Sequence, residues 1–508
     1  MSRLILCLIV LVLTIPIRAA TAPATTPAPV PHVSFDGPAL SFDFPGVEIG
    51  VAEYEAGPTG TTVLYFPNSV EGVVDTRGGA PGTINTDALR LGYESSIDAI
   101  VLSGGSSYGL SAATGVTNAI KDSITDPGNW RNIPGVAGAI VFDLGDRRFN
   151  AITPDDALGR AAWQSRRAGW VPLGARGAGR FVETGYYFGT PQHSGQGAAF
   201  RQAGDLKVLV ITVVNATGLV VDRSGHAVRC AQPSGERCAS IAEMFAAHLA
   251  AQSHATSSPQ ARAGLGKSGR LTAHTTITAV IVNEALPVWA LQRIAIQVHS
   301  SMGRAIQPFS TLGDGDTLFA VTTGAVRHQP LPDNEINELG VLASETAWDA
   351  ILASVPALPA PTPRTNVSIP PRLLEGMVGR YVFAKDATAE LRRRADTLEI
   401  ELSGQTSDYL VPGHALLLTA VAADEFEIAG PRGDRLHIDR DSDGGHRYHD
   451  QSGSVAPACA ATDRSRPTLT RDRFAGSSHT QRNGRIGVNA AIPELLLRAG
   501  VRPADTLP

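Results

Sequence analysis

The segment Leu271-Thr-Ala-His-Thr-Thr-Ile-Thr-Ala-Val-Ile-Val282 places two adjacent threonines before a run of β-branched residues. Such a run predicts a buried β-strand that begins at Thr275. If the chain is cut between His274 and Thr275, Thr275 carries a hydroxyl nucleophile and a free α-amine that can deprotonate it. This pairing is one of the ways in which a weak hydroxyl is activated. By pattern alone, a threonine pair at the start of a β-branched run is usually just part of the strand.

The composition is that of a large globular protein. The chain has 508 residues, of which 43% are hydrophobic, and its formal net charge is −5. This length predicts about two to four domains. No block of basic residues indicates nucleic-acid binding, and no cysteines and histidines have the spacing of zinc ligands. We therefore expect neither a nucleic-acid partner nor a cofactor or metal.

The N-terminus has the pattern of a secretory signal peptide. Arg3 precedes the apolar run Leu4 to Ile17, and small residues follow between Ala19 and Ala24. This order of a charge, an apolar run and small residues is typical of a cleaved signal. The run is shorter than the roughly 20 residues of a membrane-spanning helix, although an uncleaved anchor is the alternative. We expect a periplasmic or secreted protein without a stable membrane span.

Changes in composition divide the chain into segments. The predicted segments are a signal peptide (1–24), a Pro/Ala/Thr tether (25–40), a main domain (41–354), a Pro-rich linker (355–371), a small β-domain (372–455) and an unassigned tail (456–508). Within the main domain, Cys230 and Cys238 lie in a polar stretch. In an oxidising compartment they could close a small loop through a disulfide.

Apolar runs and helical spacing predict the elements of the main domain. The predicted strands are Ile97–Leu102, Ala139–Phe142, Leu206–Val214 and Thr275–Val282. The predicted helices are Leu110–Lys121 and Pro287–Ile306, the second with Leu291, Ile294, Ala295, Val298 and Met302 on one face. Short strand candidates follow the linker at Gly379–Phe383, Leu398–Leu402, Ala415–Leu418 and Glu425–Ile428, which indicates a small antiparallel β-domain.

A second nucleophile candidate lies in Gly105-Ser-Ser-Tyr-Gly109, which matches the G-x-S-x-G elbow of α/β-hydrolases. An apolar strand precedes this segment and a helical pattern follows it, as the motif requires. Ser107 would then be the nucleophile of an esterase, with His299 as the base and Asp143 or Asp222 as the acid. The alternative is a tight strand-to-helix turn whose glycines permit close packing.

Six segments together resemble the self-processing aminopeptidases that include the L-aminopeptidase/D-esterases and the β-peptidyl aminopeptidases. In the family's order, they are Arg77-Gly-Gly-Ala-Pro-Gly-Thr83, Leu102-Ser-Gly-Gly-Ser-Ser-Tyr-Gly-Leu110, Ile140-Val-Phe-Asp-Leu144, Val214-Asn-Ala-Thr-Gly218, His274-Thr-Thr-Ile277 and Asp314-Gly-Asp-Thr-Leu-Phe-Ala320. They extend over residues 45–330. The resemblance implies a four-layer α-β-β-α sandwich of the N-terminal-nucleophile type, in which the 105–109 turn is structural.

The resemblance also implies the site residues. Thr275 matches the nucleophile that heads the second subunit after self-cleavage at 274/275, and Asn215 matches a donor to the oxyanion. Asp314 and Asp316 match an acidic element beside the nucleophile. Tyr186 lies near a tyrosine that lends a hydroxyl to the site in some members, and Tyr187 fits almost as well.

The implied function is an aminopeptidase that acts on short peptides, amides or esters. The implied product of cleavage is an αβ heterodimer that assembles into a homo-oligomer. His274 departs from the family, which has Asn or Gly before the nucleophile, so a non-catalytic binding protein of the same fold is a further alternative. Separately, Leu373-Leu-Glu-Gly-Met-Val-Gly-Arg-Tyr381 resembles the start of the β-domain appended to some secreted β-lactamase-type hydrolases. That domain serves binding, assembly or stability.

Overall fold

The computed structural model describes most of the chain between residues 28 and 457. The residues outside the description are 1–27, 94, 146, 148–149, 230–237, 256–273, 329–332, 357–366, 385–386, 405–414, 429–434, 441–444, 451–454 and 458–508. The predicted signal peptide, most of the predicted linker and nearly all of the predicted tail therefore lie outside the described residues. Cys238 is disulfide-bonded, while its expected partner Cys230 lies outside them as well.

Seven α-helices are present in the described residues. They are α1 (Asp87–Leu91), α2 (Ser111–Ser123), α3 (Asp156–Gln164), α4 (Ile241–Ala255), α5 (Val288–Ser301), α6 (Asp333–Ala353) and α7 (Pro371–Met377). None of them combines the length and apolar character that crossing a bilayer requires.

The strands of the main domain number sixteen in the described residues. They are β1 (Ala39–Ser41), β2 (Glu48–Tyr54), β3 (Thr59–Thr76), β4 (Thr83–Ile84), β5 (Ser96–Ser103), β6 (Val136–Ile140), β7 (Arg167–Ala168), β8 (Trp170–Pro172), β9 (Glu183–Thr184), β10 (Gln192–His193), β11 (Gln196–Ala203), β12 (Leu206–Asn215), β13 (Leu219–Val220), β14 (Thr275–Glu284), β15 (Ile306–Gln307) and β16 (Thr317–Val326). The predicted strands are confirmed as β5, β6, β12 and β14, and β6 begins three residues earlier than predicted.

The long strand β3 joins two sheet layers. The hydrogen-bonded order is β11-β12-β14-β16-β3-β5-β6-β4, with β2 beside β3 and β7 beside β2. Residues 59–65 of β3 pair with β2 and β5, whereas residues 71–76 pair with β16. The register shifts between Tyr65 and Val70, where Ser69 has a φ of 46°. This irregularity lets one strand belong to both layers.

The two layers pack face to face around a shared apolar core. Leu64, Ile100 and Leu102 meet Leu209, Ile277 and Phe319 there. A second cluster packs α5 and α6 on the outer face of the β12-β14-β16 layer. A third packs α2 and α3 on the outer face of the other layer. The predicted four-layer α-β-β-α sandwich is therefore confirmed.

The two predicted helices are also confirmed. The helix predicted over Leu110–Lys121 is α2, and the one predicted over Pro287–Ile306 is α5, which ends five residues earlier. Pro287 is the N-cap of α5. Its predicted apolar face is buried against the sheet, because side chains three and four apart share one face of a helix.

The segment after the linker forms a separate antiparallel sheet. Its strands are β17 (Gly379–Ala384), β18 (Ala387–Arg394), β19 (Thr397–Gly404), β20 (Ala415–Ala420), β21 (Glu425–Ile428), β22 (Arg435–Arg440), β23 (His446–Asp450) and β24 (Val455–Pro457). They pair in sequence order, and β17 also contacts β24, which gives a barrel-like form. Inward side chains, including those of Tyr381, Leu398 and Phe426, build its own core. The predicted β-domain is thus confirmed.

Candidate active site

Thr275 is the first residue of the central strand β14. Its two neighbouring strands are β12, which is antiparallel, and β16, which is parallel. In the β12 pairing Asn215 lies directly opposite Thr275. Thr275 is only 2% exposed, so the residue is enclosed while the chain is continuous through His274 and Thr275.

Strand alternation fixes the direction of each side chain near Thr275. Successive residues of a strand point to opposite faces. Ile277, Ala279 and Ile281 contribute to the core between the sheets, so Thr275 faces the same space. Val280 and Val282 face the outer side, where α5 and α6 pack, and alternation directs the even-numbered His274 toward that same face of the strand. The hydroxyl of Thr275 therefore lies at one end of the space between the two sheets.

The turn Gly313–Asp316 holds the peptide bond between His274 and Thr275. The amide of His274 donates to the Gly313 carbonyl at 3.3 Å, and the amide of Gly315 donates to the His274 carbonyl at 2.7 Å. The Thr275 hydroxyl Oγ1 donates to the same carbonyl oxygen at 2.6 Å. The His274 carbonyl thus has a hydroxyl beside it and a main-chain N–H on its oxygen. The contact made by Gly315 had no signal in the sequence, because a main-chain donor leaves no side-chain pattern.

Glycines at two positions let the segment 77–83 approach this turn. A Cβ on Gly315 would lie 2.7 Å from Thr275 Oγ1 and 2.7 Å from the Ala80 carbonyl oxygen. A Cβ on Gly78 would lie 2.3 Å from the Asp314 carbonyl oxygen. The amide of Ala80 donates to that same oxygen at 2.8 Å. The segment 77–83 is therefore in direct contact with the turn that borders Thr275, the residue predicted as nucleophile.

The two predicted acids are buried and bonded to the chain's own donors. Asp314 Oδ1 accepts a hydrogen bond from the Thr217 hydroxyl at 2.7 Å. Asp316 Oδ1 accepts one from the Thr276 amide at 2.6 Å, and Asp316 Oδ2 accepts one from the Ser310 amide at 3.0 Å. Asp316 therefore fixes Thr276, the residue after the predicted nucleophile, a contact that the sequence motif did not specify.

Burial, and after it the negative charge of Asp314, raise the pKa of Asp316 to about 7. The hydrogen bonds from Thr276 and Ser310 act in the opposite direction because they favour the carboxylate. The ionised form can accept both N–H groups, whereas a protonated carboxyl has one weaker acceptor. The hydrogen bond that Asp316 accepts from the Thr276 amide is therefore expected to strengthen as the pH rises through about 7.

If the chain cleaves itself at 274/275, as the resemblance implies, the rate of this cleavage is expected to rise with pH and to level off above about pH 7, where Asp316 ionises. The free amine of Thr275 does not yet exist in the precursor, and burial lowers the pKa of His274 to about 4, so neither group titrates in this range. Cell-free synthesis of the precursor into buffers of different pH, followed on a denaturing gel, measures this rate. An Asp316→Asn chain should cleave slowly and without the rise, and an equal pH response in both chains would contradict the assignment.

Asn215 lies on the same face of the sheet as Thr275 and is fully buried. Its Oδ1 accepts a hydrogen bond from the Glu183 amide at 3.1 Å, and its Nδ2 donates to the Phe142 carbonyl at 2.8 Å. A side-chain amide nitrogen carries two hydrogens, so Nδ2 has one more to donate. The predicted contribution of Asn215 to the oxyanion site stays a prediction, while Gly315 is the donor that already contacts the His274 carbonyl.

The structure distinguishes the two tyrosine candidates. The ring of Tyr186 stacks on His274 with ring centroids 4.0 Å apart. The ring of Tyr187 packs instead on His248 of α4, at 4.4 Å. The hydroxyl of Tyr186 donates to the carboxylate of Glu183 at 2.5 Å. Tyr186 is therefore the tyrosine that lies beside His274, and Glu183 is its buried partner, which the sequence pattern did not reveal.

The residues of the esterase alternative are not brought together. Ser107 is exposed in the short turn before α2. Asp143 is buried against Arg147 at 3.2 Å and accepts a hydrogen bond from the Gly105 amide at 2.9 Å. Asp143 thereby stabilises the glycine turn, as expected if that turn is structural.

The predicted base of that alternative has a different acidic partner. His299 lies on α5, which packs on the outer face of the β12-β14-β16 layer. Its Nδ1 contacts Asp75 at 2.9 Å. Asp222, the other candidate acid, accepts hydrogen bonds from the amides of Ser224 and His226. No serine-histidine-acid triad therefore forms among these predicted residues.

The four layers, with a buried threonine at the head of a central strand, define a hydrolase of the N-terminal-nucleophile type. The chain belongs to peptidase family S58, whose sequence profile matches residues 41–363. This match confirms the family resemblance seen in the six sequence segments.

The chain is also similar to individual proteins. A 6-aminohexanoate-oligomer endohydrolase of Paenarthrobacter ureafaciens is 39% identical over 326 residues, covering 62% of this chain and 85% of the relative. An uncharacterized aminopeptidase of Mycobacterium bovis is 34% identical over 310 residues, covering 58% of this chain and 85% of that protein. Among solved structures, a Burkholderia sp. beta-aminopeptidase has a TM-score of 0.44 at 14% identity, covering 63% of this chain and 89% of that one.

Proposed function

We propose that this chain is a self-processing amide hydrolase whose nucleophile is Thr275. The observation that supports this proposal best is the pair of hydrogen bonds on one oxygen. The His274 carbonyl oxygen accepts from Thr275 Oγ1 at 2.6 Å and from the Gly315 amide at 2.7 Å. A nucleophile beside a carbonyl whose oxygen already has a fixed N–H donor is the arrangement that acyl transfer requires.

The first reaction is cleavage of the chain itself. The oxygen of Thr275 bonds to the carbonyl carbon of His274, and the Gly315 amide stabilises the oxyanion that forms. The bond between that carbon and the nitrogen of Thr275 then breaks, and the nitrogen takes up the hydroxyl proton. Water hydrolyses the resulting ester, which leaves a carboxylate on His274 and a free amine and hydroxyl on Thr275.

Later turnovers use the new amine as the base. An α-amine has an unperturbed pKa of about 7.7–8.0, so it can accept the hydroxyl proton near neutral pH. Thr275 then attacks the substrate's acyl carbon, the leaving amine or alcohol departs with the proton, and water releases the acyl group from the ester. Asn215 adds a second oxyanion donor in this proposal, and Asp316 keeps Thr276, and hence the nucleophile, in place.

The proposed substrates are short peptides, amides or esters with an unhindered amide or ester bond. The names of the relatives, an aminopeptidase and an oligomer endohydrolase, support this range. Further parts of the proposal are an αβ heterodimer that assembles into a homo-oligomer and a periplasmic or secreted location, which the apolar run before residue 18 supports.

Trapping of the acyl-enzyme tests this proposal. The purified protein is mixed with aminoacyl p-nitroanilides, an amino acid ester and a linear 6-aminohexanoate trimer, and it is quenched with acid during turnover. We expect hydrolysis and an added acyl mass on the peptide that begins with Thr275. Acyl mass on Ser107 would support the esterase instead, and an uncut chain without hydrolysis would support the non-catalytic binding protein.

A further inference from the structure

The side chain of His274 occupies an enclosed slot on the outer face of β14. It is 3% exposed, and its imidazole lies against the ring of Tyr186 in a tilted contact, with an interplanar angle of 30°. Neither ring nitrogen has a hydrogen-bond partner among the described residues. Burial lowers the pKa of this imidazole to about 4, so the slot holds a neutral, flat ring. The contact that the slot provides is therefore the face of Tyr186 rather than a polar group.

The ring of Tyr186, which forms one wall of the slot, is held in place by hydrogen bonds through Glu183. Tyr186 Oη donates to Glu183 at 2.5 Å, and Glu183 is completely buried. The amide of Glu183 in turn donates to Asn215, the residue opposite Thr275. The ring of Tyr186 is thus tied to the strand that borders the nucleophile, and its hydroxyl is engaged with Glu183 rather than directed at the His274 carbonyl.

The uncut chain behaves as a substrate that is already bound. In self-cleavage, His274 supplies the acyl group that Thr275 attacks, and a later substrate supplies its acyl group to the same oxygen. The same donors must therefore hold both carbonyls. It follows that the side chain of a substrate's acyl residue enters the slot that His274 fills, once the end of the first subunit has moved away. The nitrogen of that residue takes the place of the His274 amide, opposite the Gly313 carbonyl.

The geometry points to Tyr186 as the specificity-determining residue of the acyl-side subsite, where its ring face selects substrates whose acyl residue carries a planar aromatic side chain. This inference rests on the proposed function, because it assumes that Thr275 is the nucleophile. An offset or edge-on contact between aromatic rings is favourable beyond the area that it buries. A saturated ring of similar bulk fills the same space without that contact.

The test compares three p-nitroanilides, those of phenylalanine, cyclohexylalanine and alanine. For the wild-type protein we expect kcat/KM for phenylalanine to exceed that for cyclohexylalanine by roughly three- to tenfold, the range that an aromatic pair provides. The Tyr186→Leu variant should lose this preference. Tyr186→Phe should keep it, which separates the ring from the hydroxyl. Tyr187→Leu is the matched control, because the Tyr187 ring faces His248 instead, and it should also keep the preference.

The outcomes separate the inference from the function on which it rests. Equal rates for phenylalanine and cyclohexylalanine in the wild-type protein, or an unchanged preference in Tyr186→Leu, would overturn the subsite assignment while leaving the nucleophile intact. An uncut chain that hydrolyses none of the three anilides would overturn the proposed function and the inference with it. If Tyr186→Leu fails to cleave itself, the comparison of the two ring substrates in wild-type protein and in Tyr186→Phe still decides the question.

Discussion

Replacement of Thr275 by alanine is expected to leave one uncut polypeptide without hydrolytic activity. The variant removes the oxygen that attacks His274 and, with it, the only route by which the free amine arises in the proposed mechanism. Loss of a nucleophile lowers kcat by on the order of 10^6-fold in a well-studied hydrolase. A denaturing gel measures the cleavage, and anilide hydrolysis measures the activity. Because the methyl of alanine fits where threonine is buried, the variant should remain folded.

Serine is the matched control at this position. Thr275→Ser keeps the hydroxyl and, after cleavage, the adjacent amine, so it should yield two chains and retain substantial activity. If Thr275→Ala still separated into two chains beginning at residue 275, or hydrolysed substrates at the wild-type rate, Thr275 would not be the nucleophile.

The second large effect is expected for Gly315→Ala. The added methyl would lie 2.7 Å from Thr275 Oγ1 and 2.7 Å from the Ala80 carbonyl oxygen, both of which are closer than a Cβ contact allows. Either the Thr275 hydroxyl or the turn must therefore shift. If the turn shifts, the Gly315 N–H that contacts the His274 carbonyl moves with it. A misplacement of about 1 Å can reduce a rate by about 100-fold. We expect self-cleavage, followed from cell-free synthesis, to slow by about that factor.

Gly303→Ala provides the comparison for a neutral glycine substitution. A Cβ on Gly303 would meet no atom within 4 Å, and the residue lies in the turn after α5. This variant should cleave itself at the wild-type rate. Normal self-cleavage in Gly315→Ala would show that the close approach of Gly315 to Thr275 plays no part in the reaction.

Local patterns predicted four strands and two helices of the main domain, because these are continuous apolar runs or have helical spacing, whereas the four-layer arrangement followed from the family resemblance. The run after Thr275 is β14, and the spacing of Leu291, Ile294 and Val298 is the buried face of α5. The β3 strand was not predicted. Its two halves belong to different layers, and Pro67 interrupts the apolar pattern where the strand changes its partners. Whether one strand pairs with two layers depends on contacts between distant segments, which the sequence of a short segment does not reveal.

The site was predictable only in part, for a similar reason. The motifs identified Thr275, Asp314 and Asp316 as neighbours. In the structure, Thr275 begins β14, and the two acids lie in the adjacent turn Gly313–Asp316. The role of Glu183 had no sequence signal, since a single acidic residue is normally a solvated one. Its burial follows from contacts with Tyr186 and Asn215, which come from other segments. Likewise, the choice of Tyr186 over Tyr187 depends on which ring faces His274.

Intact mass together with N-terminal sequencing of the purified protein tests the central claim most directly. The account predicts two polypeptides, of which the second begins with Thr275-Thr-Ile-Thr and carries a free α-amine. A fully active protein in which residues 274 and 275 remain joined would contradict it.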